Sequence, residues 1–277
     1  VERAVRVLVD EEEHRRAGLL MAQDGRSGDI GMIMARRMTL EGAKVLGVFE
    51  IQPYASGLPR NIEQCLNDYQ IPLHLSHSVT EIRGVDRLES VVISEVDDRL
   101  QPIPGTEKEY PCDTLILSVG LIPENELTWM AGAKQDDGTK GASVDENFQT
   151  TVPGVFAAGN VLHVHDLVDF VSMEAEELAD GAARYIKEGA LPDCGLAITG
   201  DSMVGQLTPA RFSGTGNVTV SFRMRKPVRN CTVELWQGDH LVKQKKFPKA
   251  LPAEMIQIAL KPEELNEKDN LEVRVVC

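Results

Sequence analysis

The chain has 277 residues, enough for one large or two medium domains, and its 42% hydrophobic and 26% charged composition is that of an ordinary globular protein. A formal net charge of −14 and a pI of about 4.9 argue against nucleic acid and anionic membrane as partners. No apolar run approaches the roughly 20 residues that span a bilayer and no signal peptide is evident, and five scattered cysteines without a C-x-x-C pair point to reduced thiols in a cytoplasmic protein.

The first 26 residues hold one short strand candidate, "AVRVLV" (4–9), and an acidic run, while "EEEHRRAGLLMAQD" (11–24) offers no obvious strand. "GRSGDIGMIMARR" (25–37) then places glycines at Gly25, Gly28 and Gly31. Apolar residues at Ile30, Ile33, Met34 and Met38 keep helical period over 29–41, and Gly42 suits the left-handed C′ position. "AKVLGVFE" (43–50) is a short apolar strand ending on Glu50, "LPRNIEQCLNDYQ" (58–70) a second amphipathic helix, and "IPLHLSHSVTEIRG" (71–84) a second strand. Residues 88–120 form a hairpin that leads into a buried strand, Thr114–Val119. This alternation predicts a parallel sheet with crossover helices and a β-meander.

Loops follow from 121, then "VPGVFAAGNV" (152–161) as a strand running into a glycine turn, and a long helix from Val168 that stops at Gly189. After the linker "ALPDCG" (190–195), four segments alternate apolar and polar residues with period two, two of them joined by the "QGDH" turn (237–240). They predict a small C-terminal antiparallel β-sandwich-like domain.

Gly28 would admit a pyrophosphate close to the backbone, and Gly31 would let the helix pack on the sheet. The helix start near Asp29 offers unpaired N–H groups and a positive dipole end to phosphate. Glu50 lies 22 residues after Gly28, where an acid accepts hydrogen bonds from a ribose and repels a 2′-phosphate, favouring NAD(H) over NADP(H). Against the site, Arg26 stands where the fingerprint has its first glycine.

"SGDIGMIMARRMTLEGAKVLGVFE" (27–50), "CDTLILSVGLIPENEL" (112–127) and "TTVPGVFAAGNV" (150–161) follow one another as in two-dinucleotide-binding flavoproteins. On these residues the chain resembles the pyridine nucleotide-disulfide oxidoreductase-like family of FAD/NAD(P)-dependent oxidoreductases. It is most similar to the branch that serves as flavin subunit beside glycerol-3-phosphate or amine/opine dehydrogenases. The resemblance covers residues 27–190 and, more weakly, the β domain. It implies an α/β two-dinucleotide-binding fold, FAD and NAD as cofactors, and a flavin-dependent oxidoreductase that passes hydride from NADH to flavin and electrons to an acceptor. Implied cofactor contacts are Ser27, Gly28, Asp29, Ile30, Gly31 and Glu50 for NAD, with Gly120, Gly159, Asn160, Val168 and Asp169 completing the set. Asn160 stands where the family usually has aspartate, and the helix N-terminus at Val168 and Asp169 would point at the flavin ring.

The family's first FAD motif is absent from the sequence, so residues 1–26 are read as an N-terminal remnant and the NAD site as genuine with its front end missing. Expected domains are then 27–120 for NAD(H), 121–193 for the C-terminal part of the FAD-binding domain and 196–277 for the β domain. Expected partners are the nicotinamide dinucleotide, a dehydrogenase subunit and a second copy of the chain. The alternative is a truncated or non-catalytic NAD-binding or assembly subunit.

"HVHDLVD" (163–169) contains His163, His165, Asp166 and Asp169, residue types that ligate metals. We read it as a loop approaching the helix, with no metal expected and the two histidines as proton donors near the flavin edge. His74 and His77 are taken as strand residues with ordinary partners, and Cys65 and Cys112 as structural thiols without dithiol chemistry. "RKPVR" (225–229) and "KQKK" (243–246) are basic islands, either solvated strand faces or a docking surface for an acidic partner.

Overall fold

The computed structural model describes residues 18–23, 28–55 and 57–277, and the chain divides into two compact units, 1–121 and 122–277. The candidate strand at 4–9, Arg26 and Ser27 lie outside the described residues. The first unit runs β1 (Gly18–Gln23), α1 (Gly28–Leu40), β2 (Lys44–Glu50), α2 (Pro59–Cys65), β3 (Leu73–Leu75), β4 (His77–Arg83), β5 (Ser90–Glu95), β6 (Lys108–Pro111) and β7 (Thr114–Ser118). A parallel sheet has the order β3-β2-β1-β7, and β4-β5-β6 form an antiparallel meander.

The strand that the sequence analysis found missing before the glycine turn is present. β1 pairs in parallel with β2 (Met21 beside Val48) and with β7 (Met21 beside Ile116). It is held from both edges by partners distant in sequence, which its own short apolar run, opening on a glycine, does not reveal. The single strand expected over 71–84 is two. Ser76 takes a left-handed φ of 55°, so β3 stays beside β2 while β4 departs into the meander.

Period-two alternation in β2 builds two cores. Val48 packs with Met32, Ala35 and Ile116 on the helical side, and Phe49 packs with Val91, Ile93 and Cys112 on the meander side. α1 buries Gly31, Met32 and Ala35, while Ile30 and Ile33 are exposed, so these three and not the isoleucines face the sheet. Gly42 ends the helix with φ +94°.

The second unit runs α3 (Glu126–Met130), α4 (Val168–Glu188), β8 (Leu196–Gly200), β9 (Val204–Thr208), β10 (Arg211–Phe212), β11 (Val218–Met224), β12 (Val228–Gln237), β13 (His240–Ala250), β14 (Ile256–Leu260) and β15 (Leu271–Val276). Two sheets, β10-β8-β15-β12-β13 and β14-β11-β9, enclose a core that includes Phe212, Val220, Phe222, Val233, Leu235, Ile258 and Val273. All strand pairs are antiparallel except β15 with β8, which join in parallel across a long sequence separation. β13 lies at a sheet edge and carries Lys243, Lys245, Lys246 and Lys249, charges that discourage further strand addition.

Residues 152–161 form no strand. Pro153 and Gly154 interrupt the run, leaving an isolated bridge between Gln149 and Phe156 and a 3-10 turn at Gly159–Val161. α4 ends at Gly189, whose φ of +79° completes a left-handed cap. Its Gly181 lies so close to the 145–147 loop that a Cβ there would meet Asn147 O at 2.7 Å.

Candidate functional site

In the first unit α1 begins five residues after β1 ends, at the carboxyl end of a central parallel strand with β2 on one side and β7 on the other. Such a switch point, with helix N–H groups facing the crevice, is where open α/β sheets take nucleotides. Glu50 closes β2 and is fully buried; its Oε1 accepts the Gln52 N–H at 3.0 Å. A buried carboxylate acceptor at the end of this strand has the chemistry to take ribose hydroxyls. Burial, with the Glu50 charge adding to it, raises the Tyr54 hydroxyl above its ordinary pKa.

The Asp29 side chain is engaged within the first unit. Its Oδ1 accepts the Leu58 N–H and the Asn61 Nδ2, both at 2.7 Å, tying the first turn of α1 to the start of α2. Gly120 follows β7 with a left-handed φ of +86°.

The second unit gathers the other residues around the Gly159 turn. Gly159 is buried with φ +70°, and its N–H donates to Glu174 Oε2 at 3.0 Å. The other carboxylate oxygen, Oε1, lies 2.6 Å from His163 Nε2 and 2.9 Å from His165 Nε2. Burial pushes the Glu174 carboxyl up, but the two histidine rings against it, His163 foremost, and the Gly159 N–H together hold it down at about 2. Asn160 Oδ1 accepts the His165 N–H at 3.1 Å and lies 3.3 Å from His165 Nδ1, while its Nδ2 makes no hydrogen bond among the described residues.

The loop reading of "HVHDLVD" agrees with the structure, but the two aspartates part from the histidines. Asp166 accepts from Arg223 at 3.1 Å and from the Met255 N–H at 3.3 Å, fastening the loop to the β-sandwich. Asp169 and Val168 are exposed in the first turn of α4, whose N-terminus has no side-chain cap. The uncapped N–H groups and the unengaged Asn160 amide form a donor set suited to an electron-rich ring or a phosphate.

Glu174 escaped the sequence analysis. Its signal is its place in the helical series Phe170, Glu174, Leu178, Gly181, Tyr185, where an acid stands on the inward stripe. Asn125 escaped as well; its Nδ2 lies within 3.0–3.3 Å of the carbonyls of Pro123, Lys140 and Val161, joining three loop segments.

The remaining candidates have partners within their own units. His74 stacks on Phe49 with ring centroids 4.6 Å apart, and His77 Nδ1 lies 2.7 Å from Leu75 O. Cys65 and Cys112 are buried, and burial pushes the Cys112 thiol up to about 11. Of the basic islands, Lys243 pairs with Glu264 at 3.0 Å and Arg225 Nε donates to Val204 O at 2.9 Å.

A helix that opens on Gly28 at the carboxyl end of a central parallel strand is the architecture of dinucleotide-binding α/β folds. The chain belongs to the pyridine nucleotide-disulphide oxidoreductase family, whose model matches residues 27–184. It is 27% identical over 217 residues to an NADH oxidase of Methanocaldococcus jannaschii, spanning 72% of this chain and 43% of that protein. Over 185 residues it is 28% identical to an NADH oxidase of Streptococcus pneumoniae, spanning 64% of this chain and 37% of that one. Thus the chain spans less than half the length of these relatives. In fold it resembles the thioredoxin reductase of Lactococcus lactis, with a TM-score of 0.52 and 20% identity over 63% of this chain and 54% of that one.

Proposed function

We propose that the chain acts in a flavin-dependent NAD(P)H oxidoreductase, its first unit taking NADH and its second contributing to the flavin site. The observation that carries this is the start of α1 at the carboxyl end of β1, with the Glu50 carboxylate buried at the end of β2. NADH, when bound, supplies the hydride and FAD the ring that receives it. The N–H groups of Gly28 and its neighbours in α1 would bind the pyrophosphate, Gly31 would hold the helix close to the sheet, and Glu50 would orient the adenosine ribose. Asn160 Nδ2 and the uncapped start of α4 at Val168 and Asp169 would donate to the flavin, their positive end favouring its reduced, anionic form.

The residue resemblance further supports a cytoplasmic flavin subunit working beside a glycerol-3-phosphate or amine/opine dehydrogenase. Arg26 in place of the first fingerprint glycine favours the second reading, an NAD-binding or assembly subunit without turnover. Absorbance of the purified protein and titration with NADH test the proposal. A flavin spectrum bleached by NADH is expected; a colourless chain that binds NADH supports the second reading, and a chain that binds neither overturns both.

A further inference from the structure

Hydrogen bonding alone leaves the group around Glu174 unbalanced. The backbone N–H of His165 can only donate, so the Asn160 atom it meets at 3.1 Å is the carbonyl oxygen. That oxygen also lies 3.3 Å from His165 Nδ1, which therefore carries the ring proton. In the neutral ring Nε2 is then a lone pair, 2.9 Å from the carboxylate oxygen Oε1 of Glu174. Two acceptors at that separation repel unless positive charge lies between them. Among the described residues His165 Nε2 makes no hydrogen bond, nor does His163 Nδ1, and both rings are at least 98% buried.

We propose that His163, His165 and Glu174 bind one divalent transition-metal ion of the zinc class. One nitrogen from each ring and one carboxylate oxygen lie within 4.8 Å of one another. Zinc held at about 2.0–2.2 Å by tetrahedral ligands spaces them about 3.4 Å apart. The separations of 2.6 and 2.9 Å from Oε1 therefore need to open by less than about 1 Å. Two imidazoles and one carboxylate suit zinc and its first-row neighbours, whereas calcium and magnesium prefer oxygen ligands throughout. An orienting outer shell is also present: Asn160 Oδ1 fixes the His165 ring and the Gly159 N–H fixes Glu174 Oε2. Glu174, nine residues beyond His165 and on α4 rather than in the loop, supplies the third ligand and reverses the sequence expectation that no metal binds. The site does not depend on the flavin or NADH reading.

The test is zinc titration of the full chain after dialysis against a chelator, with cobalt(II) as a spectroscopic probe. One equivalent of zinc per chain is expected, with visible cobalt absorption. Glu174→Gln and His165→Ala should each abolish stoichiometric uptake, and Asn160→Ala should weaken it by about 10- to 100-fold. His74→Ala, which breaks the other close histidine pair (ring centroids 5.6 Å from His77), should change nothing. Circular dichroism establishes that each variant is folded; if Glu174→Gln does not fold, His165→Ala and the wild-type titration still decide. No saturable uptake by the wild type, uptake that survives His165→Ala, or uptake lost in His74→Ala overturns the proposal.

Discussion

The Gly159 N–H donates to Glu174 Oε2 at 3.0 Å, so a buried glycine turn is fastened to the second turn of the longest helix. His163 Nε2 lies 2.6 Å from the opposite oxygen of the same carboxylate. Glu174→Ala would leave a buried N–H and a buried ring nitrogen without an acceptor, each orphan costing about 1–3 kcal/mol. We predict a loss of about 3–5 kcal/mol in urea denaturation, in line with breaking a buried pair from one side. Glu174→Gln keeps one acceptor oxygen and should lose less. A cost for the alanine variant below about 1 kcal/mol would contradict this role.

A second prediction concerns Gly141, where a Cβ would lie 1.8 Å from the backbone oxygen of Leu162. Backbone cannot yield as a flexible side chain does, so Gly141→Ala should cost about 3 kcal/mol or more. Gly42→Ala meets nothing within 4 Å and pays only for its φ of +94°, about 1 kcal/mol. Thermal unfolding of the two variants side by side should show the first much less stable; equal shifts would refute the close approach.

Elements whose signal is local were legible in the sequence. α1 with Gly42, α4 with Gly189 and the alternating strands of the sandwich follow from periodicity and glycine stops. What was missed depends on distant partners. β1 is short and unremarkable until β2 and β7 flank it, and Ser76 splits β3 from β4 by a dihedral angle that its residue type does not announce. The helix start at Gly28, the close-packed Gly31 and the acid ending β2 at Glu50 were legible as positions, whereas the bonds of the Asp29 side chain to Leu58 and Asn61 were not. At the second site the histidines were visible but Glu174 was not, because a helix and a loop bring the three together.

The cysteines give a third prediction. Cys65, Cys112, Cys194 and Cys231 are buried and Cys277 is exposed. Burial raises all four inner thiols, Cys112 to about 11 and Cys194 to about 12, the latter helped by Asp145 and Glu146. At pH 8 a thiol at 11 is ionised in only about one molecule in a thousand, and the thiolate is the reactive form. A disulfide reagent at pH 8 should therefore modify one thiol per native chain, Cys277, and the other four only after denaturation. Rapid labelling of Cys112 in the native protein would contradict its structural role.

Glu50 gives the fourth prediction, resting on the proposed NADH site. Its carboxylate is fully buried, with Oε1 accepting the Gln52 N–H, so two substitutions are needed to separate folding from recognition. Glu50→Ala removes both the acceptor and the charge, and NADH affinity should fall about tenfold, the equivalent of one charged hydrogen bond of roughly 1.4 kcal/mol. Glu50→Gln keeps an acceptor oxygen but removes the charge that would repel a 2′-phosphate. This variant should hold NADH within a few-fold of the wild type while binding NADPH more tightly than the wild type does. Titration of all three proteins with both nucleotides checks the assignment. If neither substitution alters either affinity, Glu50 is a structural carboxylate and the ribose lies elsewhere.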